Sequence, residues 1–351
     1  MSTDLAGTDA ETSAPRTLRI DGGISNRLVE VPAQAAELER RGYDGCWVGE
    51  TNHDPFLPLV LAAEHTEHLS LGTNIAVAFA RNPMTIAGLA WDLQSYSQGR
   101  FNLGLGTQIR PHIEKRFSMP WSRPVGRMRE FVDALHAIWD CWRDGTPLRF
   151  EGEFYTHKIM TPMFTPEPSA QPSPRVLLAA VGEAMTGLCG EIADGLLVHP
   201  FGTRRYLEEI TRPVVGRGLE RAGRTRDEFE LAGPVFVVTG EDEAEYEAAA
   251  AAVRRQIAFY GSTPAYRGVL DLHGWGDLHT ELHTLSKQGG WETMAGLVDD
   301  EMLATIAVAG TVDEIPALLR RRCEGLYDRV VPSLPKSLSG SAIDSILAGL
   351  R

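Results

Sequence analysis

The chain has 351 residues, a formal net charge of −13 and a pI near 5.3. An acidic balance of this size excludes nucleic acid or an anionic membrane surface as the main partner. No run of about twenty apolar residues is present to span a bilayer, and 43% hydrophobic with 23% charged content fits one large α/β barrel or two medium domains.

The opening "MSTDLAGTDAETSAP" has no basic start and no apolar core, so residues 1–15 read as a disordered tail rather than a signal peptide. Strand and helix patterns then alternate. "TLRIDGGI" (17–24) is a first strand, and "VEVPAQAAELERRG" an amphipathic helix closed by Gly42. "YDGCWVGE" (43–50) is a second strand, followed by the helix "LPLVLAAEHTEH". "LSLGTNIAVA" (69–78) is a third, and its helix starts at Pro83. "RFNLGLGT" (100–107) is a fourth, followed after a long loop by "RMREFVDALHAIWDCWRDG". Residues 148–174, rich in proline and alternating in pattern, read as an inserted hairpin and loop. "RVLLAAVG" (175–182), "DGLLVHP" (194–200) and "FELAGPVFVVTG" (229–240) are strands five to seven, each with its helix. Residues 261–291 read as a second, irregular insertion, and "YDRVVPSL" (327–334) is strand eight. Eight strand–helix units imply parallel strands with right-handed crossovers, and at this length they predict a (β/α)8 TIM barrel spanning 16–351. A doubly wound sheet is the alternative, but "DGGISNRL" does not fit its nucleotide fingerprint.

Cys46, Cys141, Cys189 and Cys323 have no CxxC spacing and read as reduced, mostly buried thiols of a cytoplasmic protein. His279 and His283 in "HTELH" have helical metal-ligand spacing, but the glutamate is misplaced for a zincin motif, so a solvated pair is expected. His65 and His68 end a helix and complement its dipole.

A barrel places its chemistry at the C-terminal ends of the strands. After strand two come Glu50, Asn52, His53 and Asp54. His53 is the only histidine at a strand mouth with polar company, where an imidazole can give or take a proton or simply cap its loop. After strand four, residues 109–129 hold six bases (Arg110, Lys115, Arg116, Arg123, Arg127, Arg129), together with His112, against one acid, Glu114. This local reversal of sign suits an anionic ligand tail, whereas Arg127 and Arg129 are expected to pair with Glu130 and Asp133. After strand five, "AAVGEAM" offers helix N-terminal amides to a phosphate.

"ETNHDPF", "LGTNIAVAFARNPMTIA", "GRFNLGLGTQ", "AAVGEAM…ADGLLVHP" and "GTVDEIPALLRRR…DRVV" together resemble the luciferase-like monooxygenase superfamily, and most closely its branch using the deazaflavin coenzyme F420. The likeness covers roughly 17–335. It implies a barrel with an insertion before strand five and a homodimer. It also implies that His53 is the acid or base beside the reacting ring, with Glu50 next to it in the catalytic group. By the same resemblance the cofactor would be held by Asn52, by a non-prolyl cis peptide at Asn74–Ile75, and by Gly106, Thr107 and Gln108. Ala180, Val181, Gly182 and Glu183 at the phosphate site, with Arg110 and His112, would complete that set. Sugar- and alcohol-oxidising relatives carry a tryptophan four residues after the histidine and a glutamate after the strand-four turn. This chain has Leu57 and Ile109 there, which implies a different small-molecule or modified-peptide substrate and reduction of an activated C=C, C=N or C=O group. Reduced FMN with O2 is the alternative chemistry on this fold, and a non-catalytic flavin-binding barrel a second.

Overall fold

A computed structural model describes residues 17–351, so the expected tail at 1–15 lies outside the described residues. Eight parallel strand positions close into a barrel: β1 (Arg19–Gly23), β2 (Gly45–Val48), the broken pair β3 (Ser70–Thr73) and β4 (Ala76–Val77), β5 (Phe101–Gly106), β8 (Arg175–Ala179), β9 (Gly195–Leu197), β10 (Glu230–Val238) and β12 (Arg329–Ser333). Closure comes from β12 pairing with both β1 (Arg19↔Arg329) and β10 (Ala232↔Arg329). The strands are almost continuously apolar because helices cover their outer faces while side chains fill the lumen. A two-residue strand, β11 (Val308–Ala309), extends the sheet from β10.

Helices α1 (Val31–Arg41), α2 (Phe56–Glu64) and α3 (Pro83–Tyr96) follow the first three strands where the periodicity puts them. Gly42 ends α1 in the left-handed region, φ 77°, where other L-residues are strained. Asn82 caps α3 by accepting the Thr85 amide at 3.0 Å. After β5 the loop holds a short helix, α4 (Arg110–Lys115), before α5 (Pro124–Asp144). The first insertion is a hairpin, β6 (Phe150–Glu151) with β7 (Thr156–His157), followed by loop, as its pattern predicts. Helix α6 (Glu183–Ile192) follows β8. After β9 the helix is divided into α7 (Arg204–Tyr206), a π-helical turn at 207–211 and α8 (Arg212–Arg221).

The second insertion departs from expectation. Beyond α9 (Glu243–Gly261) it is helical, with α10 (Arg267–Leu272) and α11 (Gly276–Lys287), followed by α12 (Trp291–Gly296) and α13 (Asp300–Ile306). Gly274, Gly289 and Gly290 lie between its helices, and Val269, Leu270, Leu282 and Met294 seal a second core against α9. His279 and His283 are not a solvated pair. Their Nδ1 atoms bond the carbonyls of Gly261 (2.7 Å) and Ser262 (2.9 Å), so they cap the end of α9. His65 does the same for α2, through Leu61 O at 2.8 Å. Helices α14 (Ile315–Cys323) and α15 (Gly340–Leu350) flank β12. All four cysteines are free and buried, and burial pushes the Cys46 thiol up to about 12.

The N-terminal end of the lumen is closed by charge. Asp21 accepts Arg329 Nε (2.7 Å) and Nη2 (2.6 Å) and also Trp47 Nε1 (2.7 Å). Glu230 receives Arg19 (2.5 Å) and Arg175 (3.0 Å). Burial alone would raise the Glu230 carboxyl, but Arg175, Arg19 and Arg329 together hold it below the usual range. Above this plug, Trp47, Leu177, Leu197 and Ala232 form an apolar floor, with Ile75, Ala179 and Val331 packed on it. The open end is the C-terminal mouth. Among the described residues no helix is long and apolar enough to cross a membrane.

Candidate active site

The third strand is interrupted at the mouth. The Asn74–Ile75 peptide is cis, as the resemblance implied. Thr73 bridges the gap in the ladder: its hydroxyl donates to Gly104 O (2.7 Å) and accepts the Gly104 amide (2.9 Å). Only glycine fits at 104, because a Cβ would collide with Thr73 O and with Leu197. Backbone bonds tie the bulge to the end of β2, from Asn74 N to Val48 O (2.7 Å) and from Glu50 N to Ile75 O (3.1 Å).

Glu50 is a clamp on this bulge. Its side chain is 5% exposed, and Oε2 accepts the Val77 amide (2.7 Å) and Arg81 Nη1 (2.6 Å). Arg81 also reaches Asp54 (2.8 Å). Through these two hydrogen bonds, and through Arg81 to Asp54, Glu50 positions β4 and the 51–54 loop. Within that loop Thr51 donates to Asn52 Oδ1 (3.0 Å), and Asn26 holds Gly49 O (2.9 Å). His53 is exposed, with no hydrogen-bond partner among the described residues. Its imidazole stands beside a held loop, free to meet a ligand.

Two strand positions along the mouth, Gly106, Thr107 and Gln108 turn the chain from β5 into α4, with Gln108 at φ 58° and its Oε1 accepting the Ile109 amide (2.9 Å). The basic run divides here. Arg110, Lys115 and Arg116 sit with His112 on or just beyond α4 and are exposed. Arg110 pairs with Glu114 (3.0 Å), and Arg116 donates to Thr51 O, joining α4 to the histidine loop. The other three bases serve the fold. Arg123 pairs with Glu153 of the hairpin. Arg127 is buried over Phe79 and donates to Tyr155 Oη (2.8 Å) and Pro120 O (2.7 Å). Arg129 pairs with Glu191. The expected pairing with Glu130 and Asp133 does not form. Glu130 instead accepts the amides of residues 153–155, which pin the hairpin.

Ala180, Val181 and Gly182 lead from β8 into α6. Gly182 is the N-cap residue, without a side-chain cap, and a Cβ placed there would meet nothing within 4 Å. No side chain caps the first amides of α6, which leaves them available to an anion. Glu183 is exposed at the first helical position, and its charge reaches Tyr206, whose hydroxyl is raised by burial and then by Glu183.

One mouth residue escaped the sequence reading. His199 also ends a barrel strand, with aromatic company instead of polar. It follows Leu197, a lumen residue, at the period-two spacing of β9. Its ring stacks on Tyr266 (centroids 4.4 Å) and meets Tyr260 edge-on (4.5 Å). Burial pushes its pKa down to about 4. Strand periodicity could have placed it, because "GLLVHP" carries 197 and 199 to one face. Its partners are Tyr260 at the end of α9 and Tyr266 in the second insertion, neither of which is near it in sequence.

These features define a parallel barrel with a broken third strand, a histidine loop after the second and an anion-compatible helix start after the fifth. The family profile described as luciferase-like monooxygenase matches residues 5–329, and the chain belongs to that family. It is 66% identical to the uncharacterized protein Rv1360 of Mycobacterium tuberculosis over 317 residues, covering 90% of this chain and 93% of the relative. A 5,10-methylenetetrahydromethanopterin reductase of Archaeoglobus fulgidus is 25% identical over 306 residues, covering 85% and 87%. Among solved structures, the coenzyme F420 dependent tetrahydromethanopterin reductase of Methanopyrus kandleri superposes with TM-score 0.75 at 21% identity, covering 96% of this chain and 98% of that one. That likeness shows the barrel fold.

Proposed function

We propose that this chain is an oxidoreductase transferring a hydride between coenzyme F420 and an organic substrate, in the reductive direction. The observation that carries the reading is the group of exposed bases, Arg110, Lys115 and Arg116, beside the Gly106–Gln108 turn of a chain whose net charge is −13. F420 has a tail of one phosphate and several carboxylates, a better match to this group than the single phosphate of FMN. The F420-dependent reductase of Methanopyrus kandleri and the FMN-bound 3,6-diketocamphane monooxygenase (TM-score 0.65) both share the barrel, so the fold does not choose between the cofactors and the charge at this chain's mouth supports F420.

The bound deazaflavin would supply the hydride. The chain's own residues do the rest. Ile75 and the apolar floor offer a flat surface for a ring, and Glu50 with Arg81 keeps the bulge in place. His53 gives or takes the accompanying proton, and Asn52 orients the loop that carries it. The amides of α6 after Gly182 receive the phosphate. Leu57 and Ile109 are both exposed where alcohol-oxidising relatives place a tryptophan and a glutamate, which supports the reductive direction.

Fluorescence titration tests the assignment. F420 is expected to bind more tightly than FMN at low salt, with the gap narrowing as ionic strength rises. Equal affinity at low salt, or tighter FMN binding, would overturn it.

A further inference from the structure

His53 stands between two pins of unequal firmness. On its C-terminal side Asp54 accepts the Phe56 amide (2.8 Å) and Arg81 Nη2 (2.8 Å), and the Arg81 side chain is only 16% exposed because it belongs to the Glu50 clamp. On its N-terminal side Thr51 is exposed. The Thr51 hydroxyl takes a long bond from Asn26 Nδ2 (3.3 Å), and its carbonyl takes Arg116. The first pin is internal to the fold. The second comes from the end of α4, and a single bond from an exposed arginine holds little by itself.

Arg116 is the C-cap residue of α4 and the one base of that group bonded to the histidine loop. Arg110 is committed to Glu114 (3.0 Å). The Arg116 guanidinium lies over the Phe117 ring, its carbon 4.8 Å from the centroid, and Phe117 packs against the main core. That contact steadies one face of the group and leaves its edge. Of the five N–H donors of a guanidinium, the hydrogen bonds among the described residues use one, on Nη2. The others remain for a carboxylate, in a planar fork that the point charge of a lysine lacks.

We propose that Arg116 is a positioning residue that couples the anionic tail of the cofactor to His53: one N–H holds Thr51 O while others receive a tail carboxylate. A cofactor that carries the tail then fixes the guanidinium and, through Thr51, the loop that bears the imidazole. The inference rests on the F420 reading and deepens it. The tail takes no part in hydride transfer, yet its binding orients the group that moves the proton, as remote binding interactions do when they organise a reacting centre. The coupling is reciprocal, so a loop already in place favours the tail. A ring of the same chemistry without a tail occupies the mouth and leaves the loop loose.

The test is 15N relaxation of the backbone amides of residues 51–54 in the full chain, free and saturated with F420 or with the tailless deazariboflavin, which has the same ring and neither phosphate nor carboxylates. Fluorescence quenching gives both affinities. F420 should reduce amide motion at 51–54, and deazariboflavin should leave it near the level of the free chain. In Arg116→Gln the ordering by F420 should drop to the deazariboflavin level, with a fewfold loss of F420 affinity. Arg116→Lys should recover the affinity and only part of the ordering, because it restores the charge without the fork. Lys115→Gln should weaken F420 and keep the ordering. Equal ordering by the two ligands, or ordering by F420 that survives in Arg116→Gln, would overturn the proposal. A purely structural Arg116 would loosen 51–54 by the same amount in the free and F420-bound variant, which also overturns it. The two readings fail in different ways. If F420 binds and the loop does not respond through Arg116, the coupling falls alone. If F420 does not bind, the cofactor assignment falls and the coupling with it.

Discussion

The two ends of the barrel are built on opposite principles. At the N-terminal end the charges are paired with each other: Asp21 with Arg329 and Trp47, Glu230 with Arg19 and Arg175. A cleft of about 420 Å3 borders this end, but Arg19, Arg175 and Glu230 on its wall already satisfy one another. At the C-terminal mouth Glu50, Thr73 and Arg81 are spent on the bulge, and His53, Lys115 and the α6 amides are left for something else. A cleft alone does not mark the site, and chemical readiness locates it at the C-terminal mouth. A saturated buried network specifies the fold, whereas donors held without partners are what a ligand completes.

The sharpest way to break the comparison is Arg329→Met. It leaves Asp21 buried and short of its main partner, which typically costs about 3–5 kcal/mol. Denaturant unfolding should show this as a lower midpoint, and adding Asp21→Leu should recover part of it. A loss below about 1 kcal/mol would mean that the plug is not the fold's anchor. Glu50→Gln comes next. The amide can still accept from Val77 but opposes Arg81, so about 1–3 kcal/mol of stability should go, together with some F420 affinity. Unchanged stability and affinity would remove Glu50 from its clamping role.

His199 ties stability to pH. Its folded pKa of about 4 lies below the ordinary 6.5, so the unfolded chain binds the proton more readily between those values. The contribution is full above pH 6.5 and is lost as pH falls toward 4. By pH 5 the loss is about 1–2 kcal/mol, and His199→Phe should lack that component when unfolding is compared at pH 7 and pH 5. Parallel pH profiles for the two proteins would contradict it. The smallest effect on the fold belongs to His53→Ala, within about 0.5 kcal/mol because the side chain is exposed. Turnover should nonetheless fall about 100- to 10,000-fold once a substrate is in hand. A fully active variant would make His53 a loop residue only.

The barrel was legible because its signals are local and repeated. Gly42, Asn82 with Pro83, and the apolar strands each specify their own element. The mouth was legible where the chain itself turns, at 50–54, 106–108 and 180–183. Long-range pairing was not. Arg127 and Arg129 lie one or two turns from acids on their own helix, yet Tyr155 and Glu191 from other elements take them. His279 and His283 read as a surface pair, but they cap a helix whose end lies eighteen residues or more away in sequence. His199 was missed for the same reason, since its character comes from Tyr260 and Tyr266. The family resemblance supplied what no local signal carries, the cis peptide between Asn74 and Ile75.

The central claim, that the C-terminal mouth holds the cofactor, is tested most directly by hydrogen–deuterium exchange of the full chain with and without F420. Protection is expected in the 51–54 loop, at 107–116 and at 180–186, with no change at 17–19 or 226–230. Protection confined to the N-terminal end, or none at a concentration where F420 fluorescence reports binding, would contradict it.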